Sequence, residues 1–383
     1  MQPRLELRSY FKEMLSDLRI LLSGKKVTDK LADYFPNLGI FHFNHARSAL
    51  TFYLKFLGLR PGAVVGVQVI NCITVFQAIL NAGCKPCFID IDEHFTMSLE
   101  DLKNKYHLLD ALIVTHTFGN PADLKSILKL VGDLPVIEDC AHGFLTRCGD
   151  RIAGTLGNAG IFSYGLGKFP AVGDGGFLIL NKASEIAGFT GYCKSLKYPG
   201  EVKSLFVLIK DILTRLMYHP VIYKALYIIK QRSGKVKSFH KRYRYDISTG
   251  YIQNQKLLKC RLHTINEALS RRLENLNFIQ RNLPAGIMRI SPGFNGFMCP
   301  VICSDPIHIA NILAHKGIEV SAHFRDSISQ AVSYGYARGQ CINAESVIGH
   351  YITIPLYENY PHSCLESICQ VMREQEEDIE NSY

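Results

Sequence analysis

The 383 residues contain no tryptophan, and that lack excludes no class of protein. Other absences say more. The first residues, Met1-Gln-Pro-Arg-Leu-Glu-Leu-Arg, are charged and carry no apolar h-region, so no secretory signal is expected. The stripe formed by Leu205, Leu208, Ile209, Ile212, Leu213 and Leu216 is interrupted by Lys210 and Asp211, which leaves it too short and too charged to span a bilayer. Repeats and low-complexity tracts are missing. No G-x-G-x-x-G follows the first strand pattern, which removes the dinucleotide fingerprint. A phosphate-binding Walker loop ending at Lys168 would need Gly at 162 and Ser or Thr at 169, and Phe stands at both. The twelve cysteines are scattered, which in an expected cytoplasmic chain reads as reduced thiols. Cys84-Lys-Pro-Cys87 has C-x-x-C spacing, yet Cys87 opens an apolar strand pattern, so neither metal binding nor redox exchange is expected of it.

Acidic residues are scarce in one stretch. Residues 186–245 hold thirteen Lys/Arg against two acids, a net +11, while the whole chain carries +9. The basic excess is therefore local and argues against a general nucleic-acid binder. The apolar stripe inside this segment fits two roles. It could pack on the protein or on a second subunit, or residues 203–216 could lie as a basic amphipathic helix on an anionic membrane.

Apolar residues make up 47% and charged residues 20%, ordinary values for a globular chain large enough for two domains. Residues 1–40 read as a helical lead-in, with Leu7, Tyr10, Met14, Leu18 and Leu21 at helical spacing. From 41 to 181 strand patterns at 63–70, 86–91, 111–118, 135–139, 159–164 and 176–181 go with helical ones at 47–57, 74–82, 98–106 and 121–131. That order predicts an α/β fold on a mostly parallel sheet, with ligands at the carboxyl ends of its strands. Residues 250–383 read as a smaller α+β domain after a large domain of 1–249, the segment 186–245 being an insertion. Helices are expected at 251–281, 305–316 and 362–374, and strands at 296–302, 318–323 and 351–355.

Two strand ends carry the chemistry. Val136-Ile-Glu138-Asp139-Cys140-Ala141-His142 is an apolar strand ending in carboxylates. Gly160-Ile-Phe-Ser163 runs into a small-residue loop that ends in Lys168 and is followed by Gly173-Asp-Gly-Gly176. A lysine amine and a strand-end aspartate are what pyridoxal phosphate needs most: the amine forms a Schiff base with its aldehyde, and the carboxylate keeps its ring nitrogen protonated. Ser163 could bond a phosphate oxygen. Asn44-His45-Ala46-Arg47-Ser48 opens a helix whose start offers N–H groups to a phosphate. The glycines of 173–176 would let backbone approach a bulky ligand.

These motifs together resemble the DegT-type family of nucleotide-sugar aminotransferases. The likeness covers about residues 40–374. It rests on Ala46-Arg47-Ser48-Ala49-Leu50, Gly83 to Asp92, His116 with Phe118-Gly119-Asn120-Pro121, Glu138-Asp139-x-Ala141-His142, Ser163 with Lys168, Gly317-Ile318 with His323-Phe324, and Ile354-Pro355-Leu356-Tyr357. The resemblance implies a fold-type-I homodimer that uses pyridoxal phosphate, with L-glutamate as donor and a nucleotide-linked keto-sugar as acceptor. It implies Lys168 as catalytic residue, with Asp139 at the ring nitrogen, His142 beside the ring hydroxyl, and Ser163, Ala46 and Arg47 at the phosphate. His323 is the implied substrate contact, and no metal is implied. Members that dehydrate carry His where Lys168 stands, which argues against a dehydratase. Two departures stand out. The family's stacking aromatic is replaced by Asn71 or Cys72. Its asparagine from the neighbouring subunit is replaced near Tyr243-Arg244-Tyr245, so Arg244 is the expected donor to the phosphate. The odd stacking position also leaves open a non-catalytic, cofactor-binding regulator or membrane-associated protein.

Overall fold

The structure, a computed structural model, describes residues 1–4, 19, 28, 30–232, 246–284 and 286–380; for 227–232 and 376–380 the description is of backbone. The seven-stranded sheet comprises β1 (Gly39–Phe43), β2 (Val64–Gln68), β3 (Lys85–Ile89), β4 (Ala111–Thr115), β5 (Val136–Asp139), β6 (Ala159–Ser163) and β7 (Gly176–Leu180), in spatial order β1-β7-β6-β5-β4-β2-β3. Strands β3, β2, β4, β5 and β6 run parallel, whereas β7 and β1 are antiparallel to their neighbours. Strand β4, Ala-Leu-Ile-Val-Thr, is buried throughout, as expected of a strand covered on both faces.

The crossovers are α1 (Ala46–Phe56), α2 (Ile73–Asn81), α3 (Leu99–Lys105) and α4 (Leu124–Val131). Helix α3 is capped by Ser98, whose hydroxyl accepts from Asp101 N at 3.2 Å, and α4 by Asp123, which accepts from Ser126 N at 3.1 Å. Helix α1 begins at His45 without a side-chain cap.

All six strand patterns and four helical patterns of 41–181 form. Strand β1, at the end of the expected lead-in, is not among the expected strand patterns. Five residues at the sheet edge, Gly-Ile-Phe-His-Phe, are too few to show a period, and their pairing with β7 is non-local. The stripe positions Leu7 to Leu21 lie outside the described residues.

Helices α5 (Ala183–Cys193), α6 (Glu201–Met217) and α7 (Pro220–Arg232) follow β7. The stripe read from the sequence divides between two sides of α6. Ser204, Leu208, Asp211 and Arg215 are buried, whereas Leu205, Ile209 and Leu213 are exposed. The buried side grips the loop after β6. Asp211 Oδ2 accepts from Asp174 N at 3.0 Å and from Asn254 Nδ2 at 3.1 Å, and Arg215 donates to Val172 O.

In place of the helix expected over 251–281, α8 (Ile252–Leu262) and α9 (Ile265–Asn282) are separated at His263-Thr264. Leu257, Leu258, Leu262 and Ile265 share a core with Phe162 and Phe177 of the large sheet. A separate core from Leu276 onward unites α9 with β8 (Met298–Ile302), α10 (Pro306–His315), β9 (Tyr351–Pro355) and α11 (His362–Glu380). The segment 318–323 forms isolated bridges, Gln2 to Ile318 and Ser321 to Thr353, and no strand, because only single residues of it find a partner. Removing the buried carboxylate in Asp211→Ala takes the acceptor from the Asp174 N–H and leaves the Asn254 amide with only its bond to Asp174 O at 2.8 Å. The expected cost is about 1–3 kcal/mol, measurable as a lowered midpoint in urea at unchanged m-value.

Candidate active site

A cavity of about 300 Å³ opens where the parallel strands end. Its walls come from the start of α1 (His45, Ala46, Arg47), the start of α2 (Asn71, Cys72, Thr74), the ends of β4 and β5 (Thr115, Asp139, Ala141, His142), the loop Ser163–Gly175, and Phe324. The sheet topology therefore gathers Lys168, Asp139, His142, Ser163, Ala46, Arg47 and Cys72 on one space. His323 stands behind Phe324, its ring centroid 4.3 Å from that ring and 5.5 Å from His142. Arg244 lies outside the described residues.

Lys168 is half-buried, and its loop is held by three side chains from two helices. Asp211 and Arg215 grip it from α6, and the Arg272 guanidinium of α9 lies 4.3 Å over the ring of Phe169, the residue after the lysine. Burial lowers the pKa of the Lys168 amine, while Cys72 and Asp139 oppose that shift. Asp139 is buried at the end of β5. Burial raises its pKa, and the Ala141 N–H at 3.0 Å, then the Lys168 charge, oppose the rise.

His142 is buried, and desolvation, Lys168 and His323 hold its pKa well below the ordinary value. It is neutral at pH 7. Its Nδ1 accepts from Phe118 N at 3.3 Å, which places the ring proton on Nε2. Glu138, next to the site aspartate, has a different task. It is buried and accepts from His116 Nε2 at 3.1 Å and from the amides of Gly154, Leu156 and Gly157 at 2.6–2.7 Å. His116 Nδ1 accepts from Ala122 N at 3.1 Å. The neighbouring trio His116, Glu138 and Cys140 has metal-like spacing. Both imidazole nitrogens and both carboxylate oxygens are already committed, so the trio pins β5 to the loop over it. Cys84 and Cys87 have their thiol pKa values raised, chiefly by burial, opposite to what redox exchange needs.

The glycines after Lys168 also make close contacts within the protein, while Gly175 lines the cavity. A Cβ on Gly173 would lie 2.2 Å from Asp211 Oδ2, and one on Gly175 2.0 Å from the Tyr164 ring. One on Gly176 would lie 2.6 Å from Ala46 N, so β7 passes directly beside the start of α1. Asn71 is also committed, its amide donating to Thr115 Oγ1 at 2.8 Å and accepting from Cys72 N at 2.7 Å. Cys72 lines the cavity beside it, its Sγ 3.1 Å from Thr74 Oγ1. Sequence reading named Phe324 in a motif but gave it no role, although its ring lies in the wall nearly parallel to His142 at 5.5 Å and 16°. It also passed over Thr115, whose position at the end of β4, the strand beside β5, was the available signal.

The family model that matches this chain covers residues 6–204, just over half of its length, and describes the DegT/DnrJ/EryC1/StrS aminotransferase family. The chain belongs to that family. It is similar to GDP-perosamine synthase of Escherichia coli O157:H7, 34% identical over 137 residues, which is 35% of this chain and 38% of the synthase. That matched stretch thus spans well under half of the relative. Similarity to dTDP-3-amino-3,4,6-trideoxy-alpha-D-glucose transaminase of Micromonospora megalomicea subsp. nigra is lower but longer, 23% over 381 residues, covering 92% and 90% of the two chains. A DegT DnrJ EryC1 StrS aminotransferase from Brucella abortus has the same fold, with a TM-score of 0.74, 17% identity, and coverage of 98% of this chain and 99% of that one. The fold is accordingly the fold-type-I fold of that family.

His323 supplies a pH test. Desolvation, Lys168 and Arg4 lower its pKa to about 3. Below pH 6.5 the unfolded chain binds a proton that the folded site refuses, so stability is greatest above that pH and falls toward pH 3. Denaturation midpoints should therefore decline on acidification in the wild type and decline less steeply in His323→Gln, His142 keeping part of the slope.

Proposed function

We propose that this chain is an aminotransferase that uses pyridoxal phosphate to carry an amino group from L-glutamate to a keto carbon of a nucleotide-linked sugar. The observation that carries this reading is the pairing of Lys168 with Asp139 across one cavity at the strand ends. The cofactor is tested by the chemistry of the donor set. Its lining holds an amine of lowered pKa, a buried carboxylate, a neutral imidazole, the uncapped start of α1 and Ser163. An aldehyde, a protonated pyridine nitrogen beside a hydroxyl, and a phosphate match those groups in turn.

Bound there, pyridoxal phosphate would supply an electron-accepting ring that stabilises negative charge on the substrate carbon. Lys168 would hold its aldehyde carbon and, once displaced by the donor's amine, would move the proton at the donor's α-carbon. Asp139 would keep the ring nitrogen protonated, which the Lys168 charge and the Ala141 N–H favour by opposing the rise in its own pKa. His142 would donate from Nε2 to the ring hydroxyl, since its Nδ1 is occupied. Ser163 and the backbone of Ala46 and Arg47 would bind the phosphate, and Arg244 would add charge to it. Cys72 would stand at the ring face where family members carry an aromatic, with Phe324 contributing ring surface from another element. His323, neutral at pH 7, would contact the sugar.

The named relatives differ in nucleotide, GDP in one and dTDP in the other, so the substrate class proposed is the nucleotide-linked keto-sugar. We place the enzyme in the cytoplasm, as a homodimer. Among the described residues no helix is long and apolar enough to cross a membrane.

Purified protein should show an absorbance band from the lysine-bound cofactor that glutamate bleaches. It should release 2-oxoglutarate continuously only with a nucleotide-linked keto-sugar present. Lys168→Ala should abolish turnover, and Asp139→Asn should lower kcat by about two orders of magnitude or more while the fold is kept. A wild-type band that ignores glutamate would point instead to a cofactor-binding protein without transferase activity.

A further inference from the structure

Nineteen large apolar side chains are exposed among the described residues, and eleven of them fall between 192 and 226. Six form one ridge along the outward side of α6: Val202, Leu205, Phe206, Ile209, Leu213 and Met217. Their spacing of three and four residues keeps them on a single helical face. Val202 is 71% exposed and Phe206 69%, so their side chains are presented almost whole to solvent. Helix α7 extends the apolar surface with Val221, Ile222 and Leu226. Scattered apolar residues are normal on a surface, but a continuous ridge of this kind marks a contact.

The charge of the same segment selects the partner. Residues 186–245 carry +11, and the rest of the chain sums to about −2. Docking this face on a second copy would bring two strongly positive segments together, which electrostatics opposes. An anionic lipid surface offers what the segment lacks. Its negative headgroups attract the lysines and arginines, and its acyl boundary accepts the apolar ridge. The helix also has the form of one that lies on a bilayer. It is 17 residues long and does not meet the requirements of a span; its Lys203 and Lys210 are paired with Asp246 and Asp174, and Lys224 of α7 is exposed. Its opposite face is already occupied by the Lys168 loop through Asp211 and Arg215, so the ridge is the side left for a partner.

We propose that the outward face of α6, continued by α7, docks this protein reversibly on an anionic membrane surface. The full-length chain should float with vesicles of phosphatidylcholine and phosphatidylglycerol, bind phosphatidylcholine vesicles far less, and come off the anionic ones as salt is raised. Phe206→Glu/Leu213→Glu should weaken that binding about tenfold or more, as loss of apolar insertion and of net positive charge both act against it. Ile342→Glu, a change at an apolar residue 71% exposed on another helix, should leave binding unaltered. Circular dichroism of each variant checks the fold, and Val202→Glu alone serves if the double variant does not fold. Wild-type protein that ignores anionic vesicles, or a Glu variant that binds them undiminished, would overturn the proposal. So would a wild-type oligomer that Phe206→Glu/Leu213→Glu separates into monomers without any lipid binding, which would give the face to a second copy. Retention by an acidic polypeptide and not by lipid would likewise refute it.

Discussion

Lys168 and Asp139 are drawn out of water by the same cavity, and each moderates what burial does to the other. Desolvation pushes the amine toward its neutral form and the carboxyl toward its neutral form, while the opposite charge across the space resists both. The amine is thereby made a better nucleophile and proton carrier without ceasing to attract an acid group. The carboxylate stays available to hold a proton on a neighbouring nitrogen. Such a balance costs stability, because two ionisable groups occupy space that apolar side chains would fill more favourably. The rest of the fold is arranged around keeping it.

The sheet supplies the first part of that arrangement. Parallel strands β4, β5 and β6 all end at the same edge, so Thr115, Asp139 and Ser163 arrive together without any loop having to reach for the others. Glu138, one residue before Asp139, is bound to His116 and three backbone amides and fixes the strand end from behind. The lysine loop is fixed by partners from far along the chain: Asp211 and Arg215 on α6 and Arg272 on α9. Helix α6 therefore has two duties on opposite faces, an inner one to the loop and an outer one that faces solvent with an apolar ridge.

Groups that sit in one local pattern could be read from the sequence. The apolar strand ending in Glu138-Asp139 and the loop ending in Lys168 state their positions within a few residues, because a strand buried on both faces is a continuous apolar run and its end is marked by the first charges. What could not be read depends on contacts between distant segments. The close neighbours of the glycines at 173, 175 and 176 are Asp211, Tyr164 and Ala46, none of which lies beside them in sequence, so that packing could not be read from the glycine run. Asn71 and Cys72 are equivalent candidates in the sequence, and the bond that holds the asparagine amide is to Thr115, 44 residues away. Strand β1 shows no pattern of its own, since an edge strand of five residues takes its conformation from β7. The α6 stripe is apolar on two sides, so spacing alone did not tell which half the protein would cover.

The most direct measurement of the central claim is chemical capture at the amine. Cofactor-saturated protein treated with borohydride and digested should yield one peptide, spanning 163–176, whose mass carries the reduced coenzyme on Lys168. A coenzyme found on any other lysine, or an unmodified Lys168 in saturated protein, would contradict the account.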